Sequence, residues 1–431
     1  MNEATKLYIL AHADSDVRQL ALQGCKDPQV DLPMALQQIQ GRQTARRKLP
    51  SWAAVDGIVY PPHLSMEQCS SEATARYKTK VIDDLRIFDF RLDRQIENRK
   101  SVNRKFLDLT GGFGVDFAFL SVLFNEAVYV EQQEVLCAAA RHNFDLLPGL
   151  GPRVQVVCAQ AEEFLHRLEE HVALIFLDPA RRDQRGGRTY GIGDCTPDVL
   201  PLLDELLRKA DYVLLKLSPM LDWRKAVNDV GAHHVEQVHI VATGGECKEL
   251  LLLLSAQGSQ QPVLVCANDG QEERFQVTDA TDAIETIDTI DTIETIDTIE
   301  TMSTAAPLPG GYLYEPNAAL MKGGFFLELA RRYGVRPLAA NSHLFCSQQP
   351  VEGFPGRAFR ITTVSTMNKQ ELKTKILPLR QANISVRNFP LTVAQLRQRL
   401  KLGEGGSNYL FATTLASGQR VLLVCEKTPG C

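Results

Sequence analysis

From residue 82 to residue 262 short apolar runs alternate with helix-length segments, and this alternation restricts the possible folds more than any other feature. The runs are KFLDL, AVYVE, VQVVCA, ALIFLD, YVLLKL, QVHIVAT and CKELLLLL. VDFAFLSVLF, EVLCAAARHNF, AEEFLHRLEE and PDVLPLLDELLRKA separate the first five. Strands alternating with helices of that length predict an α/β domain whose parallel sheet is covered on both faces. The ending breaks the rule. QVHIVAT and CKELLLLL are joined only by GGE, too short for a parallel crossover, so an antiparallel hairpin closes the sheet.

The first strand runs into a glycine cluster, KFLDLTGGFGVDF, the kind of turn that holds a nucleotide-shaped ligand at the mouth of a parallel sheet. A triphosphate loop needs GxxxxGK(S/T), and no lysine lies within or just after GGFGVD. The dinucleotide pattern GxGxxG is met at Gly112 and Gly114 but has Phe117 at its third position, where a ring hinders close helix–strand packing. S-adenosylmethionine accounts for more of the residues. Its pattern is an acid at the strand end followed by alternating small residues, here Asp108, Thr110, Gly112 and Gly114, with Gly111 inside the loop and Thr110 in place of a first glycine. Small residues let the backbone approach the ligand, and the following helix N-terminus favours its carboxylate.

Glu131 ends the second strand, 23 residues after Asp108. A carboxylate there can accept both hydroxyls of a ribose, each charge-assisted bond contributing roughly 1.5–3 kcal/mol, although NAD presents the same ribose. Gln160 follows the third strand, where an acid often faces an adenine amino group; its side-chain oxygen can accept the same bond. Each of these is also an ordinary strand-end or cap residue. Their order at successive strand ends favours the cofactor.

Seven strands with an antiparallel final pair form the Rossmann-like class I methyltransferase arrangement, which plain dinucleotide dehydrogenase domains lack. In that fold a (D/N)PP(Y/F/W)-like turn after the fourth strand lies beside the transferred methyl. The chain has Asp178-Pro179-Ala180-Arg181 there. Asp178, Pro179 and Arg181 are therefore the candidates for positioning the acceptor in an in-line displacement; in isolation the same residues are an ordinary Asp-Pro turn. Carbon methylation of uracil needs a cysteine nucleophile after the fifth strand, and LKLSPMLDW places Leu217 at that position, so a base nitrogen is the better acceptor. The aromatic that usually stacks on a flipped base after such a turn is replaced by Arg181, Arg182, Arg185 and Arg188, which leaves Tyr190 as the ring available for stacking.

Four regions are expected: a helical region 1–81, the α/β domain 82–262, a module 263–340, and a C-terminal α+β domain 341–431. Residues 279–302 repeat (Asp/Glu)-Thr-Ile, a period of three that suits neither strand nor helix, and read as an expanded linker. YLYEPNAALMKGGFFLELARRYG is expected to carry a helix started by Pro316, with later glycines breaking it. The net charge of −5 hides an asymmetry: residues 331–431 hold 15 Lys/Arg against 4 Glu and no Asp, a local +11 that leaves −16 upstream. A basic block on an acidic chain suggests a polyanion partner such as nucleic acid, with Arg387, Arg397, Arg399 and Lys401 as candidate contacts; the same charge also suits a well-solvated basic domain. Ten scattered cysteines without a CxxC pair indicate reduced thiols, a cytoplasmic location and no metal. No apolar run approaches the roughly 18–20 residues of a membrane span.

The segments DLTGGFGVDF, LDPARRD, RTYGIGDCTPDVLPLL, LKLSPMLDW and ECKELLL resemble a bacterial family of class I methyltransferases typified in Bacteroidetes. EPNAALMKGGFF and NISVRNFPLTVAQLRQRLKLGEGGSNYLFATTL are similar to later parts of the same family. The resemblance spans nearly the whole chain and implies a ferredoxin-like module at 263–340, interrupted by the acidic repeat, and a THUMP-like RNA-binding domain at 341–431. It implies methyl transfer from S-adenosylmethionine to tRNA or rRNA at a base nitrogen such as guanine N2. Two other readings stay open: a non-catalytic RNA-binding protein that retains the fold, and a methyltransferase of a non-RNA substrate.

Overall fold

The computed structural model describes residues 1–85, 105–181, 191–277 and 306–428. The acidic repeat and the segment carrying Arg182, Arg185, Arg188 and Tyr190 lie outside the described residues. The chain divides into two compact units, Met1–Val238 with Glu249–Pro262, and His239–Lys248 with Val263–Cys431.

The first unit begins with helices α1 (Glu3–Ala11), α2 (Val17–Gln23), α3 (Leu32–Lys48), α4 (Pro50–Ala53), α5 (His63–Gln68) and α6 (Glu72–Asp84). Asn2, Asp16, Asp31 and Ser71 cap four of them by accepting backbone N–H bonds, which satisfies donors a helix start leaves orphaned. Ile9, Leu20, Ala35 and Ile39 form the small core that these helices share.

Seven strands follow: β1 (Lys105–Asp108), β2 (Glu126–Glu131), β3 (Val154–Cys158), β4 (Val172–Leu177), β5 (Ala210–Leu217), β6 (Val235–Thr243) and β7 (Glu246–Leu254). They belong to a sheet of nine strands, two more than the seven expected, and stand in it in the order β3-β2-β1-β4-β5-β7-β6. The first five pair in parallel and β7 runs antiparallel to β5, as the alternation and the GGE connection require. Helices α7 (Val115–Ser121), α8 (Glu134–Leu146), α9 (Ala161–Arg167), α10 (Leu203–Lys209) and α11 (Trp223–Val230) intervene. Every residue of β4 is buried, as expected of a central strand covered on both faces.

The helical region is not a free appendage. Asn143 of α8 exchanges two bonds with the backbone of Val59, accepting from its N–H at 2.8 Å and donating to its carbonyl at 2.9 Å. Trp52 of α4 meets Phe113 of the glycine loop edge-on, with ring centroids 4.9 Å apart.

In the second unit β8 (Val263–Asn268) and β9 (Gln271–Gln276) form a hairpin. A separate sheet contains β10 (Tyr312–Pro316), β11 (Arg336–Pro337), β12 (Phe345–Ser347), β13 (Gly356–Thr366), β14 (Asn383–Arg387), β15 (Asn408–Thr414) and β16 (Arg420–Lys427), in the order β11-β12-β10-β13-β16-β15-β14. The helix expected from Pro316 starts at Ala318 and breaks after Gly323, where the glycines were expected to break it; the strand before it was not expected. Tyr312–Pro316 is strand β10, and two helices follow it, α12 (Ala318–Gly323), capped by Asn317, and α13 (Phe326–Tyr333). The strand is imposed by pairing with β12 and β13, partners distant in sequence. Helix α14 (Val393–Leu400) crosses between the parallel strands β14 and β15. Alternate residues serve opposite faces: Phe411 and Leu423 join one apolar cluster, Leu410 and Leu422 the other.

Candidate cofactor and acceptor site

Strand β1 delivers the chain into a loop whose glycines do different work. A Cβ on Gly111 would stand 2.1 Å from Cε2 of Tyr129, and one on Gly114, at φ +86°, 2.7 Å from Cζ of Phe144. Both positions are closed by packing. Gly112 differs: at φ +56° its Cβ direction meets nothing nearer than the Thr110 carbonyl at 3.8 Å. That open floor is where a ligand can approach the backbone, and it fits the small-residue cradle that a nucleoside cofactor needs. Phe117 is fully buried, stacked on Phe106 and edge-on to Tyr129, so the third position of a dinucleotide fingerprint is filled by core.

Glu131 ends β2 beside the loop. One carboxylate oxygen accepts the Gly112 N–H and the other the Gln133 N–H, both at 2.9 Å. Each oxygen keeps a second lone pair for a hydroxyl. Asp108 is only 1% exposed and accepts the Thr110 N–H at 2.9 Å. Burial, offset in part by that bond, pushes its pKa well above the usual carboxylate value. Asp108 therefore braces the loop from beneath. Gln160 stands exposed at the start of α9, with its side chain uncommitted to the helix cap.

Thr110, which replaces the usual first glycine, has a specific use. Its hydroxyl accepts the backbone N–H of Asp178 at 2.6 Å, so the side chain joins the glycine loop to the turn after β4. Pro179 is buried, and Ala180–Arg181 forms a two-residue antiparallel ladder with Cys195–Thr196. The turn is thus held by backbone on both sides.

A buried charge network that sequence patterns do not announce lies behind this turn. Lys216, near the end of β5, places Nζ 2.5 Å from Asp178 and 3.5 Å from Asp116 of α7. Lys78 of α6 is wholly buried, 3.1 Å from Asp116 and ion-paired with Glu249 of β7. Ser70 lies 2.7 Å from Asp116 and 3.1 Å from Glu249. Two ammonium groups thus face three carboxylates. Desolvation alone would raise Asp116, but Lys78 and Lys216 outweigh it and its pKa is lowered. Desolvation would lower Lys216, but Asp178, Asp116 and Glu249 outweigh that and hold it well above the ordinary lysine value. Asp178 is raised, with desolvation ahead of the downward pull of Lys216. Its side chain still retains 38% of its surface, and the ammonium 2.5 Å away favours the charged carboxylate. Oδ2 is taken by Lys216, which leaves Oδ1 to accept from a substrate.

The four basic residues proposed for RNA divide in two. Arg387 donates to Glu315 at 2.9 Å, and Glu315 also binds Arg357. Arg397 donates to the carbonyls of Ala382 at 3.2 Å and Gly403 at 2.6 Å, which ties the end of α14 to the sheet. Arg399 and Lys401 are exposed. The structure thus makes Arg397 a support, and Arg399 with Lys401 the accessible pair.

The strand order and the glycine loop define a protein of the class I methyltransferase fold. A solved structure of a candidate methyltransferase from Porphyromonas gingivalis W83 is 31% identical, with a TM-score of 0.78, over 99% of this chain and 98% of that one. The chain belongs to the same family as that protein. Residues 312–355 match a family described as a ferredoxin-like domain, and residues 356–427 one described as THUMP domain-like. The two matches meet at 355/356, and one continuous sheet carries both, because β10 of the first pairs with β13 of the second. Two partial likenesses are a candidate methyltransferase from Streptococcus mutans in complex with S-adenosylhomocysteine (15% identity, TM-score 0.27, 35% of this chain and 88% of that one) and TrmK of M. capricolum with the same product (12%, 0.28, 43% and 73%). No curated protein matches the chain. Among the described residues no helix is long and apolar enough to cross a membrane.

Proposed function

We propose that the chain transfers a methyl group from S-adenosylmethionine to a base nitrogen of tRNA or rRNA, such as guanine N2. The observation that carries this reading is the Thr110–Asp178 bond, which sets the open floor at Gly112 next to the carboxylate of the acceptor turn. Gly112 and its neighbours Thr110 and Gly111 would line the cofactor, Glu131 would take its ribose, and Gln160 would stand near its adenine. The bound cofactor supplies a methyl on a positively charged sulfur, which leaves readily. The chain's own task is then positioning. Asp178 Oδ1 accepts a hydrogen bond from an exocyclic amine, turns the nitrogen lone pair toward the methyl, and takes the proton that the nitrogen sheds once methylated. Lys216 holds that carboxylate in place. No residue needs to bond covalently to the base, in keeping with Leu217 where a cysteine nucleophile would stand.

RNA is supported by the THUMP domain-like match, the local charge of +11 in residues 331–431 and the exposed pair Arg399 and Lys401. The test is to incubate the protein with labelled S-adenosylmethionine and total RNA from a strain lacking its gene, then identify labelled nucleosides by mass spectrometry. An N-methylated nucleoside is the expected product. Label in protein or small molecules alone would sink the RNA reading, and salt-sensitive RNA binding without any transfer would favour the non-catalytic one.

A further inference from the structure

Three side chains that the proposed reaction does not use converge at the back of the β2–α8 turn. Glu134 and Cys137 stand three residues apart on α8, and Cys158 ends β3. One ligand atom of each lies within 4.8 Å of the other two, and among the described residues no other set of three His, Cys, Asp or Glu side chains closes in this way. The thiol of Cys137 is buried while Cys158 and Glu134 are exposed, so the group forms a notch with one sulfur at its floor and two ligands at its rim. Cys137 Sγ lies 3.2 Å from the Glu131 carbonyl and Cys158 Sγ 3.7 Å from the Gln132 carbonyl. The Glu134 carboxylate also pairs with Arg141 at 3.0 Å. Three potential ligands thus stand close enough for one cation to reach them all.

We propose that Glu134, Cys137 and Cys158 form a binding site for a soft divalent cation, best matched by Zn²⁺, with a fourth position open to water. Zinc–sulfur bonds of about 2.3 Å in a tetrahedral site bring two sulfurs to about 3.8 Å, inside the present span of 4.8 Å. Two sulfurs and one carboxylate suit zinc and exclude calcium and magnesium, which take oxygen ligands. Charge balances as well. Binding expels the two thiol protons to solvent, so two thiolates, a carboxylate and a dication carry the same net −1 as the two thiols and the carboxylate before it. The ion would clamp the end of β3 to the start of α8. Sequence spacing hides the site, because the cysteines lie on different elements and make no CxxC motif.

The test uses the full chain, reduced and metal-free, titrated with Cd²⁺ as a spectroscopic substitute and with Zn²⁺ against a chromophoric chelator. One Cd²⁺ per chain is expected, with a thiolate-to-cadmium charge-transfer band in the ultraviolet. Cys158→Ser, at an exposed position that tolerates it, should weaken binding at least tenfold and halve the band, and Glu134→Gln should weaken binding without changing the band. Cys25→Ser is the control and should change neither. The readout does not involve methyl transfer, so it stands apart from the proposed function. The absence of a band in the unsubstituted protein, or an equal band in Cys158→Ser, would overturn the site. A Cys137–Cys158 disulfide forming in air, with no metal bound under reduction, would make it a redox pair instead.

Discussion

Lys216 Nζ lies 2.5 Å from Oδ2 of Asp178 and 3.5 Å from Oδ2 of Asp116, so one ammonium at the end of β5 serves both the acceptor turn and the first turn after the glycine loop. Removing it should matter more for transfer than for cofactor binding. In Lys216→Met, transfer is expected to fall on the order of 10²-fold, the cost of a misplaced reacting group, while cofactor affinity changes only a few-fold. Lys216 also pulls the Asp178 pKa down. Without it that pKa rises, and the acid limb of the pH–rate profile should move to higher pH. An unmoved limb would reduce Lys216 to a packing role.

Asp178 itself has a sharper expectation. Asp178→Ala should abolish transfer while calorimetry shows S-adenosylmethionine binding nearly intact, because the link to the glycine loop runs through the Asp178 backbone N–H and not its carboxylate. Full activity in this variant would remove the acceptor assignment.

These two residues were unequally legible. Asp178 sits in a DPAR turn that a local pattern finds. Lys216 lies inside an apolar strand, and its partner is 38 residues away; Lys78 and Glu249 are separated by 171. A lysine in isolation reads as a solvated face, and only the folded sheet shows that it is buried against acids. Seven of the nine strands of that sheet and the β6–β7 hairpin could be read because their periods and connection lengths are local. Strand β10 could not, since the residues that make it a strand lie in β12 and β13. For Asp108 the position at a strand end was legible and the burial was not.

The glycines offer a test that separates folding from binding. Gly111→Ala drives a methyl into the Tyr129 ring, and overpacking of this kind costs about 1–3 kcal/mol. Gly112→Ala meets open space and only an unfavourable φ, a penalty of about 1 kcal/mol. Urea denaturation should therefore show the larger loss for Gly111→Ala. Gly112→Ala should stay folded and lose cofactor affinity; retention of full affinity would place the cofactor elsewhere.

On the second unit, Arg399→Glu with Lys401→Glu should weaken RNA binding and reduce the slope of log affinity against log salt by roughly 1–2, about 0.7 for each lost phosphate contact on single strands. Arg397→Ala is expected to act differently. Its guanidinium holds the Ala382 and Gly403 carbonyls, so thermal stability should drop while the salt slope stays close to that of the unsubstituted chain. The same slope change in both variants would mean that this face does not distinguish support from contact.

Lys78 gives the last expectation, which concerns why the N-terminal helices belong to the catalytic unit. Its wholly buried ammonium faces Asp116 and Glu249. Lys78→Met leaves two buried carboxylates short of a partner, a loss of about 3–5 kcal/mol by analogy with other broken buried pairs. Replacing Glu249 by Leu in the same chain should recover part of that loss, because an apolar pair needs no desolvated charge. The pH dependence carries a sign of its own. Asp116 has a lowered pKa in the folded chain, so its contribution is present above its unfolded value and is lost as pH falls through the folded one. Without Lys78 the lowering shrinks, and the acid-side loss attributable to Asp116 should shrink with it. Denaturation midpoints measured from neutral pH down to pH about 3 would show this as a flatter acid slope in Lys78→Met; an unchanged slope would mean that Lys216 alone sets the state of Asp116.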